Sequence, residues 1–112
     1  MQISTRQIGN ATIVDAVGDI TLYNCPEVRK VLLALFKEKH AKRVIVNLEK
    51  VKYIDSAGIG EMVGAYTIVR SANGELKLIN LTKRVHDLLQ ITRLLTVFDV
   101  SNDEGAAVRS FK

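Results

Sequence analysis

The chain has 112 residues, 47% hydrophobic and 25% charged, and its 16 Lys and Arg outnumber 12 Asp and Glu to give a formal charge of +4. Such a length buries about two thirds of the unfolded surface around one core, and a composition near the globular average excludes a disordered or fibrous chain, so one domain over residues 1–112 is expected. The basic residues are scattered except in Lys37-Glu38-Lys39-His40-Ala41-Lys42-Arg43 and Lys83-Arg84, and no Tyr or Phe is interleaved with them as a base-stacking platform, so no direct nucleic-acid role is indicated.

Ile3, Thr5 and Gln7, then Thr12, Val14 and Ala16, read as two strands joined by a tight turn at Gly9-Asn10, since both residues tolerate positive φ. Gly18-Asp19-Ile20-Thr21-Leu22-Tyr23 follows as a loop. Asn24-Cys25-Pro26-Glu27 has the form of a capping box opening the first helix, in which Val28, Val31, Leu32, Leu35 and Phe36 recur at helical spacing and Lys37, Lys39 and His40 suit the C-terminus. Val44 to Leu48 is β-branched on both parities, the mark of a central strand covered on both faces.

A turn at Ile54-Asp55-Ser56-Ala57-Gly58 opens a second helix, expected to run to about Ser71 and to stop at Asn73-Gly74. Leu76, Leu78 and Ile79 form another strand, Thr82 caps a third helix through about Leu89, and Val97-Phe98 reads as a short edge strand. Asn102 or Asp103 starts a terminal helix through Phe111. The order predicts an α/β fold: a single-layer mixed β-sheet with about four helices, hairpin first and parallel crossovers after it.

The sole cysteine, Cys25, excludes an internal disulfide and a zinc cluster of cysteines, and reads as a small filler in a reducing compartment. The N-terminus lacks a signal-peptide pattern, and no apolar run approaches the ~20 residues of a spanning helix, so no membrane insertion is expected. His40 and His86 are too far apart in sequence to give a metal spacing, and neither metal nor cofactor is expected.

Three chemical readings converge on residues 54–64. Gly58, Gly60 and Gly64 invite a phosphate loop, but the third glycine falls one position late for a dinucleotide fingerprint and no Gly-Lys-Ser/Thr follows. Ser56 as a hydrolase nucleophile lacks the first glycine of the elbow, where Ile54 stands, and His86 and Asp87 are adjacent on a helix, where neighbouring side chains diverge by about 100°. The third reading is a modification site. A serine at a helix N-terminus accommodates the roughly −1.5 to −2 charge of a phosphate, because unpaired N–H groups and the helix dipole stabilise it there.

Asp55 is read first as a cap, and Ser56 as both cap and phospho-acceptor. Ile59, Met62, Val63, Tyr66 and Val69 form the bulky stripe expected on the sheet, which turns Gly60, Glu61, Gly64, Thr67 and Ile68 outward. The small residues fit either the docking of a partner or, for Gly64, the packing of a neighbouring helix in the same domain.

The Gly18-Asp19-Ile20 loop, the Asn24 to Arg29 helix start, the Val44 to Leu48 strand, the run Tyr53-Ile54-Asp55-Ser56-Ala57-Gly58-Ile59-Gly60 and the strand Gly74-Glu75-Leu76-Lys77-Leu78 together resemble the STAS domain family, specifically its stand-alone bacterial anti-sigma factor antagonists. The resemblance spans essentially the whole chain. It implies a cytoplasmic binding module without catalysis, in which Ser56 is phosphorylated by an anti-sigma factor serine kinase with a histidine-kinase-like ATPase fold. A metal-dependent serine phosphatase then reverses the modification. The unphosphorylated form would bind the anti-sigma factor and free sigma.

Thr21, Leu22, Tyr23, Asn24, Asp55, Ala57, Gly58, Gly60, Glu61 and Gly64 are the residues expected at the partner. Thr21 stands where the family often has an aspartate, keeping a hydroxyl but not the charge. The alternative carried by the same resemblance is a scaffold, a stressosome or lipid-transport component without a phospho-switch. The sequence sets no oligomeric state.

Overall fold

The computed structural model describes residues 2–37, 42–101 and 103–110. The expected helix-end cations Lys39 and His40, the cap candidate Asn102, Phe111 and the side chain of Cys25 lie outside the described residues. The elements run β1 (Gln2–Ile8), β2 (Ala11–Val17), α1 (Cys25–Lys37), β3 (Arg43–Lys50), α2 (Ser56–Ser71), β4 (Glu75–Ile79), α3 (Lys83–Ile91), β5 (Asp99–Ser101) and α4 (Glu104–Ser110).

The five strands lie in the order in which they occur along the chain. β1 and β2 are an antiparallel hairpin closed at Ile8 and Ala11, with Gly9 at φ +57° carrying the left-handed conformation of the turn; β2 to β5 are parallel neighbours. A right-handed crossover repeated in one direction across a sheet places every connecting helix on the same face. Accordingly Val28, Leu32 and Phe36 of α1, Met62, Ala65 and Val69 of α2, and Val85 and Leu89 of α3 share one core with Val14, Ala16, Val44, Val46, Leu48, Leu76 and Leu78.

The other face has a smaller cluster of Ala11, Ile13, Ile45 and Ile79 under Ala107 of α4. These two covers explain why β3 is apolar on both parities. Arg6 ties α4 to the sheet, its guanidinium donating to Asp15 at 2.5 Å and to Glu104 at 2.6 Å, while Asn47 Nδ2 donates to the same Asp15 at 2.9 Å.

Several boundaries follow from local chemistry. Asn73 adopts φ +63° after α2, and the Gly74 N–H reaches back to the Val69 carbonyl at 2.9 Å, the left-handed stop expected from Asn-Gly. Thr82 caps α3 by accepting from the Val85 N–H, and Asp103 accepts from Gly105 and Ala106 at the start of α4. The last strand differs from expectation. Val97 and Phe98 close a turn onto the Leu94 carbonyl, so the strand begins two residues later, at Asp99. Phe98 is instead a core residue, edge-on to Tyr66 with ring centroids 5.3 Å apart.

Asn24 also differs. Its side chain turns back into the preceding loop, Oδ1 accepting from the Thr21 N–H at 2.8 Å and Nδ2 donating to the Asp19 carbonyl at 2.7 Å, so the capping box with Glu27 does not form. Only the Asn24 carbonyl meets the new helix, accepting from the Glu27 N–H. The physical reason is competition: a short amide can bond either forward to a helix N–H or back to its own loop, and here the loop wins.

Candidate functional site: a clasp at the start of helix α2

Two chain segments meet where β2 and β3 leave the sheet. Ile20 and Ile54 form a parallel bridge, with the Ile20 N–H donating to the Tyr53 carbonyl at 3.0 Å and the Asp55 N–H to the Ile20 carbonyl at 3.1 Å. Both isoleucines and Val51 are buried, which anchors the bridge from below. The 21–24 turn is thereby held against the N-terminus of α2.

Asp55 completes the contact. It is the N-cap residue of α2, in extended conformation, with Oδ1 accepting from the Gly58 N–H at 2.8 Å. Its second oxygen accepts from the Leu22 N–H at 2.9 Å. One carboxylate thus caps the helix and pins the turn. Because both N–H bonds favour the ionised form, that of Gly58 first and that of Leu22 second, the Asp55 carboxyl is held below its usual range.

Ser56 is the first helical residue rather than the cap, which corrects the reading of it as a cap hydroxyl. It is exposed, and its hydroxyl makes no hydrogen bond among the described residues. Leu22 and Tyr23 stand beside this helix start at 63% and 94% exposure, where apolar side chains of this size normally find cover. Thr21 keeps the turn closed, its Oγ1 accepting from the Tyr23 N–H at 3.3 Å.

Along α2 the expected site residues separate into two groups. Gly60 is exposed and Gly64 half-buried, and a methyl group at either would meet nothing within 4 Å, so among the described residues neither packs against a neighbouring helix. Glu61 lies beside them and pairs with Arg29 of α1 at 3.4 Å. Gly58, by contrast, does not belong to an outer surface. It is buried, and a Cβ there would stand 2.7 Å from the Ile20 carbonyl oxygen. Ala57 is half-buried and packs on the core. The buried seam of the helix therefore runs through Gly58, Met62, Ala65 and Val69, with Ile59, Val63 and Tyr66 of the expected stripe flanking it. Small residues at Gly58 and Ala65 let the helix lie close to the sheet, which moves the seam onto them.

Sequence reasoning missed two contacts of this neighbourhood. Asp55 was legible as a cap, but its grip on a residue 33 positions away was not. Arg84 was visible only as half of a basic pair, yet its guanidinium lies 4.9 Å from the centroid of the Tyr53 ring, a cation–π contact that covers the strand-to-helix loop. His86 and Asp87 approach each other at 3.7 Å, both about half exposed, and Asp87 is held below the usual carboxylate range chiefly by Lys83. Neither bonds to the Ser56 hydroxyl, so the geometry contains no catalytic triad. Among the described residues no cluster of three or more His, Cys, Asp or Glu side chains is placed to hold a metal ion, and no helix is long and apolar enough to cross a membrane.

Residues 2–107 match the STAS domain family. The chain is 34% identical over 109 residues to the anti-sigma-B factor antagonist of Bacillus subtilis, covering 97% of this chain and 98% of that one. It is 34% identical over 105 residues to the protein of the same name from Listeria monocytogenes, covering 94% and 90%. Among solved structures, a putative anti-sigma factor antagonist from Thermotoga maritima superposes with a TM-score of 0.88 at 19% identity, over 96% of this chain and 92% of that one. The Bacillus cell fate determinant SpoIIAA in its phosphorylated form superposes at 0.74 and 16% identity, over 98% and 100%, which shows the shared fold. The chain belongs to the STAS domain family, in company with its anti-sigma factor antagonists, which are regulators and not enzymes.

Proposed function

We propose that this chain acts as a single-domain anti-sigma factor antagonist in the cytoplasm, binding an anti-sigma factor serine kinase when Ser56 is unmodified and releasing it when Ser56 is phosphorylated, with a serine phosphatase restoring the binding form. The observation that carries the reading is the Ser56 hydroxyl itself: exposed, unbonded and set on the first turn of a helix whose cap is supplied by a different residue. Modification therefore removes no bond that the fold uses. The dipole of the helix start stabilises the added charge.

The docking surface consists of Thr21, Leu22, Tyr23 and Asn24 on the turn, with Asp55 behind them, and of Gly60, Glu61 and Gly64 on the outer side of α2. Exposed Leu22 and Tyr23 supply apolar anchors of the kind that dominate interfaces. The two glycines leave room for a partner backbone. A phosphate dianion brought into this contact without a counter-charge costs about 3–5 kcal/mol, and at 1.4 kcal/mol per decade this lowers affinity by about two to three and a half orders of magnitude.

The test is incubation of the protein with ATP and the anti-sigma factor of its own host, followed by intact mass measurement and a binding titration. One phosphoryl group should be added to the parent and none to Ser56→Ala. Ser56→Ala should bind the kinase like the unmodified parent, and Ser56→Asp weakly. Equal binding by the two variants would remove the switch. Tight binding with no mass gain would leave the scaffold reading in its place.

A further inference from the structure

Beside the Ser56 surface, and sharing Glu61 with it, lies a groove of about 410 Å³ whose other lining residues none of these contacts uses. Its floor is half-buried Leu33 and Ala34 of α1. Arg29, Lys30 and Lys37 rise along it, and Glu61 of α2 closes the far side, held to Arg29. Lys30 and Lys37 make no hydrogen bond or ion pair among the described residues. An apolar floor that keeps three cations and one carboxylate is complementary to a segment of the opposite pattern.

We propose that this groove receives an acidic amphipathic helix of the same anti-sigma factor, so that the partner grips the domain at two adjoining places. The inference rests on the functional reading above for the identity of the partner. The geometry sets the length of the guest. Arg29 and Lys37 are eight residues apart, about 12 Å along α1, which carboxylates spaced at i, i+4 and i+7 or i+8 on a facing helix can span. One or two aliphatic side chains of that helix seat on Leu33 and Ala34. Glu61 discriminates between guests: it repels an acidic segment unless Arg29 neutralises it, and it would welcome a basic one only against the repulsion of three cations.

The probe is a blocked amphipathic peptide of about 14 residues, with Leu on one face and Glu on the other, compared with its Lys counterpart. Both are titrated into the ¹⁵N-labelled full chain. The acidic peptide should shift amides of Arg29 to Lys37 and of Glu61, bind at least tenfold more tightly than the basic one, and weaken as salt screens the pairs. Lys30→Glu combined with Lys37→Glu changes only exposed side chains, should lower Tm by no more than about 4 °C through the reversed charge at the end of α1, and should cost the acidic peptide at least tenfold in affinity. Equal binding of the two peptides, shifts elsewhere in the domain, or indifference to the double charge reversal would overturn the proposal. So would stronger capture by phosphatidylglycerol vesicles through the same lysines, which would make the face a membrane contact.

Ser56→Asp should bind the acidic peptide like the parent. Loss of peptide binding in the lysine variants with an intact Ser56 switch, or the reverse, therefore tells the two readings apart.

Discussion

Three glycines in one helix predict stability changes of opposite sign. At Gly58 an added Cβ would lie 2.7 Å from the Ile20 carbonyl oxygen and 2.9 Å from Cγ2 of both Ile20 and Ile54. The oxygen cannot yield, because it already accepts from the Asp55 N–H across the Ile20 and Ile54 bridge. Overpacking of a rigid site costs about 1–3 kcal/mol, against which the helical preference of alanine over glycine offsets at most about 1 kcal/mol. With 112 residues at about 2.1 cal/mol/K each, each kcal/mol moves Tm by about 4 °C. Gly58→Ala should therefore lower Tm, by about 8 °C at the upper end of that cost. Gly60→Ala and Gly64→Ala meet nothing within 4 Å and should raise it by about 2–4 °C each, while weakening the complex with the anti-sigma factor. Thermal unfolding followed by circular dichroism measures all three. A Gly58→Ala protein as stable as the parent would refute the close approach, and a fall in Tm for Gly60→Ala or Gly64→Ala would refute the open outer face.

The remaining predictions concern charge. Asp55 has a depressed carboxyl, so its contribution to stability is complete above the ordinary value near 4 and is lost as the pH falls through the lower folded value. The Leu22 and Gly58 amide resonances should titrate together with a midpoint below that ordinary value, and a midpoint at or above it would contradict the two bonds. In Asp55→Asn at neutral pH, hydrogen exchange at Leu22 should accelerate, since an amide cannot accept from both N–H groups in the same geometry. Arg6→Ala removes the bridge that serves Asp15 and Glu104 at once. With Arg6 43% exposed, screening holds the loss to about 1 kcal/mol, and exchange in α4 should rise ahead of global unfolding. Unchanged protection of α4 would mean that Ala107 packing alone holds the helix down.

What the sequence made visible was mostly local. Gly9, Asn73 and Thr82 act on their own turns and helix ends, where the chemistry that selects the residue lies within four positions of it. The β-branched run at Val44 to Leu48 reports the two covers on its strand without saying which helices provide them. Contacts across the chain left no such trace. Nothing in the neighbourhood of Gly58 announces the Ile20 carbonyl, and nothing near Asn24 shows that its amide is needed by Thr21 and Asp19 rather than by the helix ahead.

The same distinction explains how the Ser56 hydroxyl comes to be exposed. Asp55 and Ser56 are both good caps, and local propensity cannot choose between them. The choice is made by Leu22, whose N–H arrives from another loop and has to be met along with that of Gly58. A carboxylate has two well-separated oxygens and satisfies both donors. A serine hydroxyl has one oxygen, which cannot reach across the gap. Asp55 therefore takes the structural task, and the adjacent hydroxyl is left exposed and unbonded. Exchanging the two residues tests this division of labour: with serine at 55 and aspartate at 56, the 21–24 turn should loosen and the exposed hydroxyl proposed as phospho-acceptor should be lost together, whereas a turn as well protected as in the parent would show that the Ile20 and Ile54 bridge suffices without the carboxylate.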